Sequence, residues 1–157
     1  MDRITSFSVD HLKLKPGLYV SRLDFVGGNP VTTFDMRMTT PNLEPVINNA
    51  ELHAIEHLGA TFLRNDEKVK DDVIYFGPMG CRTGFYLIMA GELTSCDVLS
   101  KVKEMLNFIA TFEGDIPGAS PVECGNYQDL NLDMAKFYGR KYLEVLSNED
   151  TLNIVYL

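Results

Sequence analysis

"LYVSRLDFVGGNPVTTFDMRMT", residues 18–39, decides the fold class. Two runs rich in β-branched and aromatic residues, 18–26 and 31–39, flank "GGNP", where Gly27 and Gly28 can take positive φ. Such a pattern predicts a β-hairpin, and so antiparallel pairing. Two further short apolar runs, 72–79 and 84–92, read as strands around a glycine-punctuated turn. From Glu44 to about Asn65 the apolar residues recur at helical spacing, with Pro45 in the first turn. A second helix is predicted over 94–112, N-capped by Thr94 or Ser95, and a third over 131–148, with Gly139 in its middle. "EGDIPGASPVECGNY", 113–127, is a loop by composition. The expectation is an α+β fold, an antiparallel sheet packed with helices, forming one domain over 1–157.

The 157 residues suffice for a single core. A formal charge of −8 argues against a nucleic-acid backbone or an anionic membrane as partner. No apolar run is long enough to span a bilayer, and "MDRITSFSVD" lacks a signal-peptide pattern, so the expectation is a cytoplasmic protein. Cys81, Cys96 and Cys124 are odd in number and widely spaced, unlike a disulfide framework.

"HAIEH", 53–57, carries two of the three histidines. At about 100° per residue, Leu52, Ile55, Leu58, Gly59, Phe62 and Leu63 form the core stripe. His53, Glu56, His57, Ala60 and Arg64 fall on the neighbouring arc. One helical turn separates the imidazoles, so both rings can converge on one point. The bland reading is an exposed face with two incidental histidines; the sharper one is a pair of metal ligands beside a carboxylate. A working site needs at least a third ligand. Cys124, Glu123, Asp133 and Cys81 are candidates, and Cys124 ranks first because Gly125 lets the chain bend and thiolate suits Zn²⁺ or Fe²⁺. Its alternative is a small buried hydrophobe.

Cys81 lies in "GPMGCRTGFY", beside Arg82, where a cation could lower the thiol pKa and make it a base or nucleophile. Cys96, in the first turn of a helix, reads as structural. Two other functions fit the residues. In a small HxxEH metallopeptidase, Glu56 would activate water and Glu123 or Asp133 would be the third ligand. In a non-catalytic metal-binding module, the ion would serve folding alone.

"SFSVDH", "FDMR…PN", "HAIEHLGATFLRN", "PMGCRTGFY" and "ECG", in this order along nearly the whole chain, resemble the S-ribosylhomocysteine lyase (LuxS) family. The resemblance implies an inverted-metallopeptidase-like fold and a homodimer. It implies one divalent ion per subunit, Fe²⁺ with Zn²⁺ or Co²⁺ as substitutes, held by His53, His57 and Cys124. Glu56 and Cys81 match the family's acid–base residues. Ser6, His11, Arg37 and Arg64 match positions at the substrate site, Ser6 and His11 reaching it from the partner subunit. The implied reaction cleaves S-ribosylhomocysteine to homocysteine and 4,5-dihydroxy-2,3-pentanedione, precursor of the autoinducer-2 quorum-sensing signal. The chain carries Tyr75–Phe76–Gly77 where some relatives have a polar "DIS".

Overall fold

The computed structural model describes residue 4 and residues 7–156. Strands β1 (Gly17–Val26), β2 (Asn29–Arg37), β3 (Val73–Pro78) and β4 (Gly84–Ala90) form one antiparallel sheet in the order β1-β2-β4-β3. Helices α1 (Asn49–Asn65), α2 (Ser95–Thr111) and α3 (Leu132–Ser147) complete the α+β architecture. The hairpin forms as expected: Val26 pairs with Asn29, and Gly27 and Gly28 hold the turn at φ 59° and 86°. Positive φ at both central residues matches the right-handed twist of the flanking strands.

Alternation along each strand sorts the side chains onto two faces. Val20, Phe34, Leu87 and Phe76 form one cross-strand row, and Leu18, Met36, Phe85 and Pro78 form the next. All of these but the exposed Pro78 pack with Leu52, Ile55 and Leu58 of α1 and Val98, Val102 and Ile109 of α2 in a common core. Burying a side chain such as Leu58 contributes about 1.5–3 kcal/mol, so these rows fix the strand register. The opposite face carries Tyr19, Asp35 and Tyr86 in one row and Arg37 two residues beyond Asp35. β2 is therefore buried on both faces, with Asp35 and Arg37 only 2% and 3% exposed.

α1 begins at Asn49, later than the periodicity suggested. Asn48 N–H donates to Glu51 Oε2 at 2.6 Å, which starts the helix there. Upstream, Ile47 N–H donates to the Arg82 carbonyl at 3.0 Å, so residues 45–48 stay out of the helix, against the turn bearing Cys81. Gly139 is buried inside α3, where an added Cβ would lie 3.1 Å from Ile109 Cγ2. Close α2–α3 packing explains its place in a helix it would otherwise weaken. Tyr142, fully buried on α3, donates through its hydroxyl to the Gly17 carbonyl at 2.6 Å and ties that helix to β1. Among the described residues no helix is long and apolar enough to cross a membrane.

Gly84 sits opposite Arg37, and an added Cβ there would strike the Met36 carbonyl oxygen. Backbone cannot yield as a side-chain tip can. Gly84→Ala should therefore cost about 1–3 kcal/mol, read as a lower urea midpoint with an unchanged slope.

Candidate metal centre

α1 and the long loop between α2 and α3 build the centre together. His53 and His57 stand one turn apart on α1, with their Nε2 atoms 3.0 Å apart and their rings edge-on at 79°. Each ring is held from behind by the loop: His53 Nδ1 lies 2.9 Å from the Asp129 carbonyl and His57 Nδ1 lies 2.7 Å from the Pro117 carbonyl. A carbonyl only accepts, so both Nδ1 atoms carry the proton and both Nε2 atoms present lone pairs to the same point. Cys124 Sγ stands 3.3 Å from His53 Nε2.

His53, His57 and Cys124 are the group among the described residues whose ligand atoms, all within 4.8 Å of one another, could hold a metal ion. Two converging nitrogen lone pairs and a sulfur repel unless a cation or a proton sits between them. A tetrahedral ion with metal–nitrogen bonds of about 2.0–2.1 Å needs nitrogens about 3.3 Å apart, close to the spacing found. The donor set fits a divalent ion of borderline softness. Three protein donors leave a tetrahedral ion one position for water or substrate.

The other candidates for third ligand point elsewhere. Glu123 accepts from Ser120 Oγ at 2.6 Å, and Asp133 is exposed in the first turn of α3. Asn131 N–H donates to the Ala50 carbonyl at 3.0 Å, which docks the loop on α1, while Asn126 N–H approaches Cys124 Sγ at 3.4 Å. Glu56 Oε2 lies 3.9 Å from His57 Nε2, beside the triad. With His53, Asn49, Leu52, Tyr75 and Pro78 it lines a depression between α1 and β3.

Cys81 is exposed on the β3–β4 turn, outside the triad. The cation acting on it is Arg37, not its neighbour Arg82: Arg37 Nη1 lies 3.7 Å from Cys81 Sγ and donates to Thr83 Oγ1 at 2.6 Å. Cys81 Sγ and Thr83 Oγ1 are 3.1 Å apart. Burial alone would raise the thiol pKa, but hydrogen bonds from Thr83 and the Arg37 guanidinium outweigh it and hold the thiol below its ordinary value. Arg82, at φ 59°, instead offers its carbonyl to Ile47. Phe76, from the Tyr75–Phe76–Gly77 stretch, stacks on Phe85 at 5.0 Å in the core.

The remaining site candidates are dispersed within one protomer. Arg64 donates to the Val73 and Ile74 carbonyls at 2.6 and 2.9 Å, tying the end of α1 to β3. His11 Nδ1 lies 2.9 Å from the Val9 carbonyl in its own segment. Ser6 lies outside the described residues. Cys96 is exposed in the first turn of α2, so it does not fill the core. The sequence reading missed Asp35, whose carboxylate takes Arg37 Nε and Nη2 at 3.1 and 2.6 Å. A period-two run "DMR" in a strand buried on both faces was the available signal.

The fold and this triad define a protein of the His₂Cys metal-site class, with two ligands on one helix and one on a loop. The family model described as S-ribosylhomocysteinase (LuxS) matches residues 4–152. The chain is 59% identical to the S-ribosylhomocysteine lyase of Finegoldia magna, over 99% of both chains. It is 57% identical to that of Clostridium acetobutylicum over 98% of both, and 52% identical to that of Borrelia garinii subsp. bavariensis over 99% of both. The chain belongs to the S-ribosylhomocysteinase (LuxS) family.

Two outcomes follow from the triad's geometry. Cobalt(II) titration should produce a thiolate charge-transfer band that Cys124→Ala abolishes. Gly118, at φ 75°, lies where an added Cβ would stand 3.1 Å from His57 Nδ1. Gly118→Ala should therefore push that ring off the Pro117 carbonyl and weaken cobalt affinity about 10-fold or more.

Proposed function

We propose that this chain is a metal-dependent carbon–sulfur lyase cleaving the thioether of S-ribosylhomocysteine to homocysteine and 4,5-dihydroxy-2,3-pentanedione. The carrying observation is 59% identity over 99% of the chain to a relative named for that activity. On this reading the whole chain works as one catalytic domain. Homocysteine would return to the activated methyl cycle, and the dione would be the autoinducer-2 precursor.

The substrate's carbon–sulfur bond is unactivated as it stands. A carbonyl must first move from the first sugar carbon to the third, which makes the proton on the fourth acidic. Loss of that proton then expels the thiolate from the fifth carbon by β-elimination. No electrons are gained or lost overall. A divalent ion held by His53, His57 and Cys124 would supply Lewis acidity that polarises the migrating carbonyl.

The chain's own groups move the protons. Cys81, its thiol pKa held below the ordinary value by Thr83 and Arg37, takes a proton as thiolate from one of the first two carbons and returns it to the other. Glu56 relays protons in the later migration and the elimination, from its position beside His57. Arg37, Arg64, Ser6 and His11 are assigned to the substrate, the last two acting as Ser6 and His11 of the partner subunit. A homodimer also accounts for Leu23, Phe25, Ile74 and Tyr75, apolar side chains left exposed on one protomer. The ion is assigned as Fe²⁺, with Zn²⁺ or Co²⁺ able to replace it, because this donor set accepts all three. Three free cysteines, one of them a proposed ligand, suit a reducing cytoplasm.

The experiment is thiol release from S-ribosylhomocysteine by anaerobically purified, metal-loaded protein. Cys81→Ser and Glu56→Gln should each keep the metal and lose turnover by about 100-fold or more. Full turnover in either variant counts against the mechanism. A peptidase would tolerate Cys81→Ser, and a structural metal module would tolerate both.

A further inference from the structure

The segment that follows α3 returns across the sheet and ends beneath Arg37. Leu18 N–H donates to the Asn153 carbonyl at 2.8 Å, and Asn153 Nδ2 donates to the Pro16 carbonyl at 2.9 Å. Three residues on, the Tyr156 ring stacks on Tyr19 with centroids 4.6 Å apart and planes 12° from parallel. The Tyr156 hydroxyl donates to Asp35 Oδ2 at 2.8 Å. Asp35 in turn grips Arg37 through two atoms of one edge, Nε and Nη2, leaving Nη1 to face Thr83 and Cys81. A continuous chain of contacts thus runs from the strap to the sulfur, through an ion pair whose side chains are only 4% and 3% exposed.

We propose that Tyr156 and Asp35 are positioning residues that set how much of Cys81 is thiolate. The inference rests on the reading of Cys81 as the proton carrier, and it acts through Arg37 alone. Guanidinium has five donors in one rigid plane, so a bidentate carboxylate fixes the plane's orientation. With Nε and Nη2 committed to Asp35, Nη1 is aimed at the Cys81–Thr83 pair. Asp35 also offsets the positive charge of Arg37, and in a dry site that offset weakens the pull on sulfur. The Tyr156 hydroxyl draws carboxylate charge toward itself and leaves the guanidinium more cationic where it meets the thiol.

The groups facing this point come from five elements besides the turn. β1 supplies Arg22 and Tyr19, the latter pushed up to about 12 by burial and then Asp35. α3 supplies Tyr142, raised chiefly by burial. β2 supplies Asp35 and Arg37, β4 supplies Tyr86, and the strap supplies Tyr156. Burial, and then Asp35, hold the Tyr156 phenol far above its ordinary value, so it stays a donor throughout the working pH range. Tyr86 is raised by burial and by Asp35 as well, so it too stays neutral. Arg37 remains charged throughout: burial disfavours its cation, but Asp35 more than compensates. Of the thiol and phenols in this set, Cys81 is the one whose pKa is lowered, Thr83 and Arg37 outweighing burial.

Tyr156→Phe tests this with a single atom. It keeps the stack on Tyr19 and the Asn153 bonds, and removes the hydroxyl that donates to Asp35 together with its contact to Ser21. The measurement is the pH profile of Cys81 alkylation by iodoacetamide on metal-loaded protein, followed by mass spectrometry of the Cys81 peptide. The expected result is a midpoint about 0.5–1 unit higher, which slows alkylation about 3- to 10-fold on the acid side. The rising limb of the lyase pH profile should move by the same amount. A thermal melt of the same variant separates the alternative. An unchanged or lower midpoint, whether or not the melting temperature falls, overturns the proposal and leaves the strap a purely structural tie. Alkylation needs no substrate, so this result stands whether or not S-ribosylhomocysteine is cleaved.

Discussion

Two imidazole lone pairs forced to the same point are the constraint on which the site depends. His53 and His57 cannot turn away, because loop carbonyls of Asp129 and Pro117 hold their Nδ1 atoms from behind. The bonds fix the tautomers, and the tautomers make Nε2 of each ring an acceptor turned toward the triad. Cys124 adds a third electron-rich atom 3.3 Å from one of them. Such a cluster is costly as an empty arrangement of neutral groups and favourable around a cation. The loop that supplies these carbonyls is itself docked on α1, where Asn131 N–H donates to the Ala50 carbonyl.

A second electrostatic unit occupies the far side of the sheet. Buried ion pairs gain little stability in general, because desolvation cancels much of the attraction. Asp35 and Arg37 make sense less as a stabilising pair than as an aiming device, with one guanidinium edge left for Thr83 and Cys81. The sheet supplies the rigidity. Arg37 pairs with glycine on both neighbouring strands, Gly17 and Gly84, so the crowded end of the sheet has room for its backbone partners. Metal-ligand and thiol units thus rest on different elements, α1 with its loop and the ends of β2 and β4.

Much of this arrangement was legible from local pattern. The "GGNP" turn, the four strands and all three helices follow from period-two and helical spacing, which need no knowledge of distant residues. His53 and His57 were readable as a pair because a helix alone sets their separation. The start of α1 was not, since the tie from Ile47 to Arg82 that holds residues 45–48 out of the helix joins segments far apart in sequence. Nor was the cation beside Cys81: adjacency pointed to Arg82, whereas the sheet register brings up Arg37.

The amino-acid sequence by itself determined the fold class, the helical face carrying His53, Glu56 and His57, and the family to which the chain belongs. These rest on short-range periodicity or on motif order, both of which survive without coordinates. Tertiary structure alone decided which carbonyls fix the imidazole tautomers, how closely Cys124 approaches the two rings, and which charged group faces Cys81. The reason is physical. Coordination and pKa depend on distances of a few ångströms between segments tens of residues apart, and only packing sets those distances.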